Sequence, residues 1–584
     1  MRLIIDKDVA VPMRDGVTLR ADVTRPDTDQ RLPVVLVRLP YGKSMLSMQT
    51  YAEANRLALA GYAVVHQDTR GRFASEGEFY PFRDEARDGF DTVEWCAAQT
   101  WSNGNVGMTG GSYFGATQWL AATAKPPHLK AIFPIVTASD YYDGWTYRGG
   151  ALHLGFALLW ALLLSPDTAL RQGRAVGDGS QRVAELLRAV DGVQDLYRRL
   201  PLREMPELER TAPYFFDWLE HESLDGYWRQ WRIAERYEQI DVPAFHVGGW
   251  YDLFLGGTLE NYLGMKERGG GGVARANQRL LIGPWAHGAY SGAYAEYTHG
   301  SAGDLAFMNI AGMQIRWFDR WLKGIDNGVD REPPVRLFVM GENAWRDENE
   351  WPLARTRFTP YYLHSDGHAN TAAGNGTLSV EPAAGEPPDV FRYDPRDPVP
   401  TVGGTTFLPG LYIAANAGPR DQRPVESRSD VLVYSTPRLA ADIEVTGPVE
   451  VVLYASTTAP DTDWTATLVD MHPDGYARIL CDGILRARYR HGFEKAEPVQ
   501  PGAVEEYVID LWATSNLFRA GHRIGLEISS SNFPHFDRNL NTGGKLGTET
   551  LEEARPALQT VYHDAAHPSH VLLPIVPARE KENV

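Results

Sequence analysis

Short apolar runs punctuate the first part of the chain, and helical spacing fills the gaps between them. Residues 32–38, 62–68, 106–109 and 129–136 read as buried strands, as in Leu32-Pro33-Val34-Val35-Leu36-Val37-Arg38. A continuous apolar run suits a strand covered on both faces. Residues 51–60 read as a helix that Gly61 ends. Residues 84–98 read as another, with Phe90, Val93, Trp95 and Ala97 toward the core. Alternating strand and helix patterns predict a parallel, doubly wound sheet. Ligands bind such sheets at the carboxyl ends of the strands.

From 141 to 240 this rhythm breaks. The segment reads as helical, apolar at first and then rich in arginine and glutamate over 181–208. Its aromatics cluster: Trp145, Trp160, Tyr214, Phe215, Phe216, Trp218, Trp228 and Trp231. Such an insertion either caps the site or packs on the sheet as an appendage. Aromatic walls suit an apolar pocket and favour the cap. The alternation resumes with strands at 243–248 and 279–283, helices at 258–268 and 305–323, and a flexible glycine loop at 269–272. The last helix carries a Trp317/Trp321 face.

After about 350 helices nearly vanish. Runs at 449–455, 465–471, 479–486, 507–511, 524–530 and 570–576 lie between proline- and glycine-rich turns. They predict a β-sandwich of jelly-roll type. The expected organisation is an α/β core over 1–140 and 241–350, a cap over 141–240, and a jelly roll over 351–584.

A length of 584 residues is too great for one core. A net charge of −18 argues against nucleic acid and anionic membrane as partners. Cys96 and Cys481 are far apart and read as buried free thiols, with no disulfide framework or cysteine metal site. Residues 1–8 lack a signal-peptide core, and the most apolar stretch, 151–164, is too short to span a bilayer. A cytoplasmic enzyme is the expectation, and a homo-oligomer is compatible with this composition.

The chemistry centres on Val106-Gly107-Met108-Thr109-Gly110-Gly111-Ser112-Tyr113-Phe114-Gly115. A strand, a sharp turn carrying Ser112 and then a helix form the context of a nucleophile elbow. Glycines at 110, 111 and 115 allow close approach of strand and helix. Taken alone, this G-x-S-x-x-G fits an ordinary strand-to-helix turn equally well. The rest of the chain decides between them. Asp252 and His287 each lie just past a predicted strand, and the chain order Ser112, Asp252, His287 is that of α/β-hydrolases. Serine is a weak nucleophile until a neutral imidazole takes its proton, and the aspartate fixes the imidazole tautomer. Other motifs fall away. Gly42-Lys43-Ser44 lacks the first glycine of a phosphate loop, because position 37 is Val37. Asp537-Arg538-Asn539-Leu540-Asn541 departs from a calcium loop at Gly543 and Thr548 and reads as a polar turn. Arg70 and Arg72 read as structural ion-pairing residues.

Gly110 to Gly115, Gly249-Trp250-Tyr251-Asp252 and Gly283-Pro284-Trp285-Ala286-His287 together resemble the cocaine esterase-like hydrolases, acyl esterases related to the X-prolyl dipeptidyl peptidases. Pro40-Tyr41-Gly42-Lys43, Asp68-Thr69-Arg70-Gly71 and Ser531-Asn532-Phe533-Pro534 extend the resemblance over nearly the whole chain. It implies an α/β-hydrolase core with inserted cap and C-terminal jelly roll, working on a small-molecule ester or amide without metal or cofactor. It also implies an oxyanion hole of the Tyr41 hydroxyl and the Tyr113 backbone N–H. An acyl pocket would be walled by Trp145, Trp160, Phe254 and Phe407, although Phe407 fits a core aromatic equally well. Two alternatives stand beside this. An X-prolyl dipeptidyl peptidase or β-lactam or amino-ester acylase would need carboxylates for a substrate ammonium, with Asp143 and Asp304 as candidates. A binding protein would carry the triad as a vestige.

Overall fold

The computed structural model describes residues 2–45, 52–174, 177–408 and 416–577. An N-terminal hairpin, β1 (Leu3–Pro12) and β2 (Thr18–Pro26), leads into β3 (Leu32–Leu39), α1 (Ala54–Leu59) and β4 (Ala63–Asp68). Then come α2 (Glu85–Ala98), β5 (Ser102–Gly111), α3 (Tyr113–Thr123) and β6 (Leu129–Ile135). The insertion holds a small hairpin, β7 (Tyr147–Arg148) and β8 (Ala151–Leu152), and helices α4 (Leu154–Gly173), α5 (Gly179–Asp191), α6 (Val193–Arg198), α7 (Pro213–Glu220) and α8 (Gly226–Arg229). The α/β pattern returns with β9 (Ala244–Tyr251), α9 (Leu255–Arg268), α10 (Gly272–Ala276), β10 (Gln278–Ala286), α11 (Leu305–Met308), α12 (Ile310–Leu322), β11 (Val335–Val339) and β12 (Ala344–Glu348).

These strands form one 10-stranded sheet in the order β1-β2-β4-β3-β5-β6-β9-β10-β11-β12. From β4 to β11 neighbours run parallel, and antiparallel strands flank them. The chain leaving β3 crosses to β4, whereas the chain leaving β5 crosses to β6. The carboxyl ends of β3 and β5 therefore flank a topological switch point, where such sheets open a crevice. The remaining strands form a mostly antiparallel, all-β assembly. Its longest pairing joins Ile443–Thr457 to Glu505–Phe518.

Several expectations need correction. Tyr51, at the head of the helix expected over 51–60, lies outside the described residues. On α2 the buried positions are Glu85, Asp88, Gly89, Thr92, Val93 and Cys96. Of the expected core set only Val93 is buried, while Phe90, Trp95 and Ala97 are half-buried. Apolar spacing misled because this face pairs with one buried and one half-buried cation. Glu85 lies 2.8 Å from Arg38, and Asp88 lies 2.6 Å from Arg70. The helix expected over 305–323 breaks at Asn309, a left-handed residue (φ 53°) whose side chain caps α12. The glycine loop runs straight into α10. Finally, the apolar stretch does not stop at 164: α4 runs through Pro166 to Gly173 and is long and apolar enough to cross a membrane. Most of it is buried inside the fold, as a core helix is.

The insertion is stitched to the β assembly by backbone and charge. Arg486 N–H donates to Gly149 O at 2.7 Å, and Asp537 Oδ1 accepts from Leu152 N–H at 2.8 Å. Gly149 has φ +54°, and a Cβ there would lie 1.9 Å from Ile484 O. The Arg486 guanidinium bridges Asp463 (2.8 and 2.9 Å) and Asp537 (2.9 Å), all three buried. Asp537, the first residue of the calcium-like turn, is thus an ion-pair partner.

Arg486→Met leaves two buried carboxylates without their cation. The expected loss is about 3–5 kcal/mol of stability. The Asp537 carboxyl, already raised by burial with Arg486 opposing, then loses that opposing charge and rises further above its unfolded value, so folding is helped as pH falls. The gap in melting temperature to wild type should be wide at about pH 8 and narrower at about pH 5. A gap that widens on acidification would contradict the burial of these charges.

Candidate active site

Ser112 follows β5 in a conformation ordinary residues avoid, with φ 57° and ψ −127°. The surroundings hold it there. Its N–H donates to Ile135 O at 2.9 Å, and its carbonyl accepts from Gly115 N–H (2.9 Å) and Ala116 N–H (3.1 Å). A Cβ on Gly110 (φ +139°) would lie 2.4 Å from the Phe114 ring, and one on Gly115 2.7 Å from Thr137 Cβ. Both glycines are therefore required by close approach.

Asp252 follows β9 and His287 follows β10, and these strands are parallel neighbours. Asp252 Oδ2 lies 2.9 Å from His287 Nδ1, and His287 Nε2 lies 3.0 Å from Ser112 Oγ. The second Asp252 oxygen accepts from Phe254 N–H at 2.8 Å. Asp252 is fully buried, while Ser112 and His287 keep 8 % and 6 % of their surface open. The line of donors and acceptors thus runs from a water-excluded carboxylate to a serine that keeps some open surface. This arrangement can move a proton from Ser112 Oγ to His287 Nε2.

Residue types alone would not single this line out. Ser365, His563 and Asp389 also cluster in the β assembly, all buried. There His563 Nε2 faces both Asp389 Oδ2 (3.0 Å) and Ser365 Oγ (3.3 Å). Ser365 and Tyr434 donate to that same carboxylate oxygen, each at 2.7 Å. One nitrogen facing both partners cannot relay a proton between them, so this is a structural knot.

Tyr41, just past β3, places its hydroxyl beside the Ser112 side chain and accepts a hydrogen bond from Trp160 Nε1 at 2.9 Å. Burial pushes its pKa up to about 12, partly opposed by Trp160, Ser112 and the nearby Arg72 charge. Tyr113 opens α3, so its N–H precedes every intrahelical acceptor. Its phenol points into a separate buried network, accepting from Phe82 N–H (2.9 Å) and donating to Glu85 (3.0 Å). Burial raises the Glu85 pKa, with the Arg38 charge opposing.

The four expected pocket rings also converge. Trp145 stacks on Phe254 with centroids 4.5 Å apart and meets Trp160 edge-on at 5.9 Å. Phe254 and Phe407 lie against the His287 ring at 5.1 and 5.4 Å. Phe407 therefore belongs to the site surroundings. Sequence reasoning missed Phe156, which touches Trp145 (5.3 Å), Phe254 and Phe407 (both 5.5 Å). Its place four residues before Trp160 on one helix was the available signal. The acidic candidates are otherwise engaged. Asp143 accepts from Gly149 N–H at 2.9 Å, and Asp304 caps α11 by accepting from Ala306 N–H at 2.8 Å. Arg70 pairs with Asp88 and Asp15 and Arg72 with Asp167 at 3.7 Å, as expected, and Arg72 also donates to the Pro40 and Leu164 carbonyls.

Comparison with known proteins follows the same lines. Residues 15–289 match the X-Pro dipeptidyl-peptidase (S15 family) model, and residues 327–572 match the X-Pro dipeptidyl-peptidase C-terminal non-catalytic domain. A cocaine esterase of Rhodococcus sp. (strain MB1 Bresler) is 42% identical over 98% of each chain. Among solved structures, an aminopeptidase from a marine sediment Thaumarchaeota archaeon aligns with TM-score 0.81 at 27% identity, covering 98% of this chain and 96% of its own. An α-amino acid ester hydrolase aligns with TM-score 0.77 at 26% identity and the same coverage.

Tyr41 should remain a neutral phenol until pH approaches about 12. The tyrosinate absorbance of wild type minus that of Tyr41→Phe measures this residue alone. A phenolate signal appearing near pH 10, the ordinary value for tyrosine, would show the hydroxyl to be solvated.

Proposed function

The chain belongs to the cocaine esterase and X-Pro dipeptidyl-peptidase family and is a serine hydrolase acting on esters, and from that premise we propose that Ser112 is its nucleophile, His287 its general base and acid, and Asp252 the group that orients His287. The observation that carries this reading is the unbroken Asp252–His287–Ser112 line, at 2.9 and 3.0 Å.

In the proposed cycle Ser112 Oγ attacks the ester carbonyl while its proton passes to His287 Nε2. The former carbonyl oxygen becomes an oxyanion, which accepts from the Tyr41 hydroxyl and the Tyr113 N–H. Collapse of the tetrahedral intermediate expels the alcohol, protonated by His287, and leaves an acyl group on Ser112. Water then attacks that acyl group, giving its proton to His287, and Ser112 Oγ leaves with the proton returned. Asp252 stabilises the imidazolium at each stage. The Tyr41 pKa of about 12 suits this role, because only the protonated phenol can donate.

Trp145, Trp160, Phe254 and Phe407, joined by Phe156, favour an apolar or aromatic acyl group. A peptidase of the same family would need a carboxylate for a substrate ammonium. Asp143 accepts from Gly149 N–H and Asp304 from Ala306 N–H, which are local backbone contacts, and the 42% identity to a cocaine esterase favours the ester reading.

Ser112→Ala should lose ester turnover by several orders of magnitude, while the far-ultraviolet dichroism is unchanged. Fluorophosphonate should label wild type and not the variant. Near wild-type turnover in Ser112→Ala would remove Ser112 from the mechanism. In a side-by-side panel, p-nitrophenyl esters should outperform aminoacyl-p-nitroanilides, and the reverse order would favour the peptidase. Tyr41→Phe deletes one oxyanion donor and should lower kcat by about 10²–10³, or about 2.7–4 kcal/mol, with KM little changed. It also orphans the Trp160 N–H, which adds a stability cost of about 1–3 kcal/mol.

A further inference from the structure

Trp160 lies on α4, in the insertion, and Tyr41 lies just past β3, in the α/β core. Trp160 Nε1 nevertheless sits 2.9 Å from Tyr41 Oη. An indole N–H can only donate, so the phenol oxygen is the acceptor here. The phenol's own proton is then directed away from Trp160, and the neighbouring polar side chain is Ser112.

The distance between the two elements is set independently. The buried Arg72 guanidinium donates through Nε to Pro40 O at 2.9 Å, and through Nη1 to Leu164 O at 3.0 Å and Thr168 Oγ1 at 3.1 Å. Residues 160, 164 and 168 are spaced by four, so they share one face of α4. That face grips residue 40 through Arg72 and residue 41 through the indole N–H. A hydrogen bond donated into an O–H oxygen also polarises the O–H and strengthens it as a donor.

We propose that Trp160 is a positioning residue of the oxyanion hole, whose N–H occupies the Tyr41 oxygen and delivers the Tyr41 proton to the developing oxyanion. This rests on the assignment of Tyr41 as an oxyanion donor. It separates from a wall role by its kinetic signature. A wall ring acts on KM for bulky acyl groups, whether or not Tyr41 has a hydroxyl. A positioning N–H acts on kcat for every acyl group, and only when that hydroxyl is present.

The test is Trp160→Phe in wild type and in Tyr41→Phe, assayed on p-nitrophenyl acetate, whose acyl group is too small to fill the wall. The kcat should fall about tenfold in wild type and less than about twofold in the Tyr41→Phe background. A second measurement does not depend on the Trp160 variant folding. In Tyr41→Phe the Trp160 indole N–H proton resonance should move upfield as its acceptor is lost. Equal kcat losses in both backgrounds, a change in KM alone, or an unmoved resonance overturns the proposal and leaves the oxyanion assignment standing. Full kcat in Tyr41→Phe overturns that assignment and the proposal with it.

Discussion

Everything at this site depends on holding Ser112 in a backbone conformation that a free chain avoids. Its φ of 57° and ψ of −127° cost on the order of 1–3 kcal/mol. The strain persists because the elements around it leave no alternative. β5 and α3 meet at Gly110 and Gly115, where a Cβ would collide with Phe114 or Thr137. α3 is buried along its whole length, so it cannot rotate to relax the turn. Ser112 spends its own N–H and carbonyl on Ile135, Gly115 and Ala116, leaving the hydroxyl as the group presented outward.

Buried charge braces the same elbow from below. Arg38 on β3 pairs with Glu85 on α2, and Glu85 accepts from the Tyr113 phenol one residue past Ser112. The polar residues on the inner face of α2 are therefore part of the support for Ser112. Tyr113 is divided between two tasks. Its side chain anchors the start of α3, while its backbone N–H remains available at the helix end.

The insertion and the β assembly complete the aromatic cluster beside His287. Trp145, Phe156 and Trp160 come from the insertion, and Phe407 comes from beyond residue 350. Each ring touches others from a different part of the chain, so the wall exists only when the parts are joined. Arg486, Asp537 and Gly149 form that junction, where Arg486 N–H donates to Gly149 O, Asp537 accepts from Leu152 N–H, and a glycine stands where backbones nearly touch.

The sequence by itself determined the alternation of strand and helix, the helical insertion, the β-rich remainder and the positions of Ser112, Asp252 and His287 past strand ends. These were legible because strand ends, glycine turns and apolar runs are local signals. The same locality misled on α2, where Phe90, Trp95 and Ala97 were expected toward the core but Glu85 and Asp88 take the inner face against Arg38 and Arg70. It also hid the kink at Asn309 and the contact of Phe156 with Trp145, Phe254 and Phe407. Only the tertiary structure decided which strands are neighbours, and hence that residues 175 positions apart, Ser112 and His287, would hydrogen-bond. It likewise decided that Trp160 would reach Tyr41 across 119 positions. The physical reason is that sheet order and the fit of one helix against a distant loop are set by burial and charge pairing summed over the whole fold. No window of sequence contains that sum.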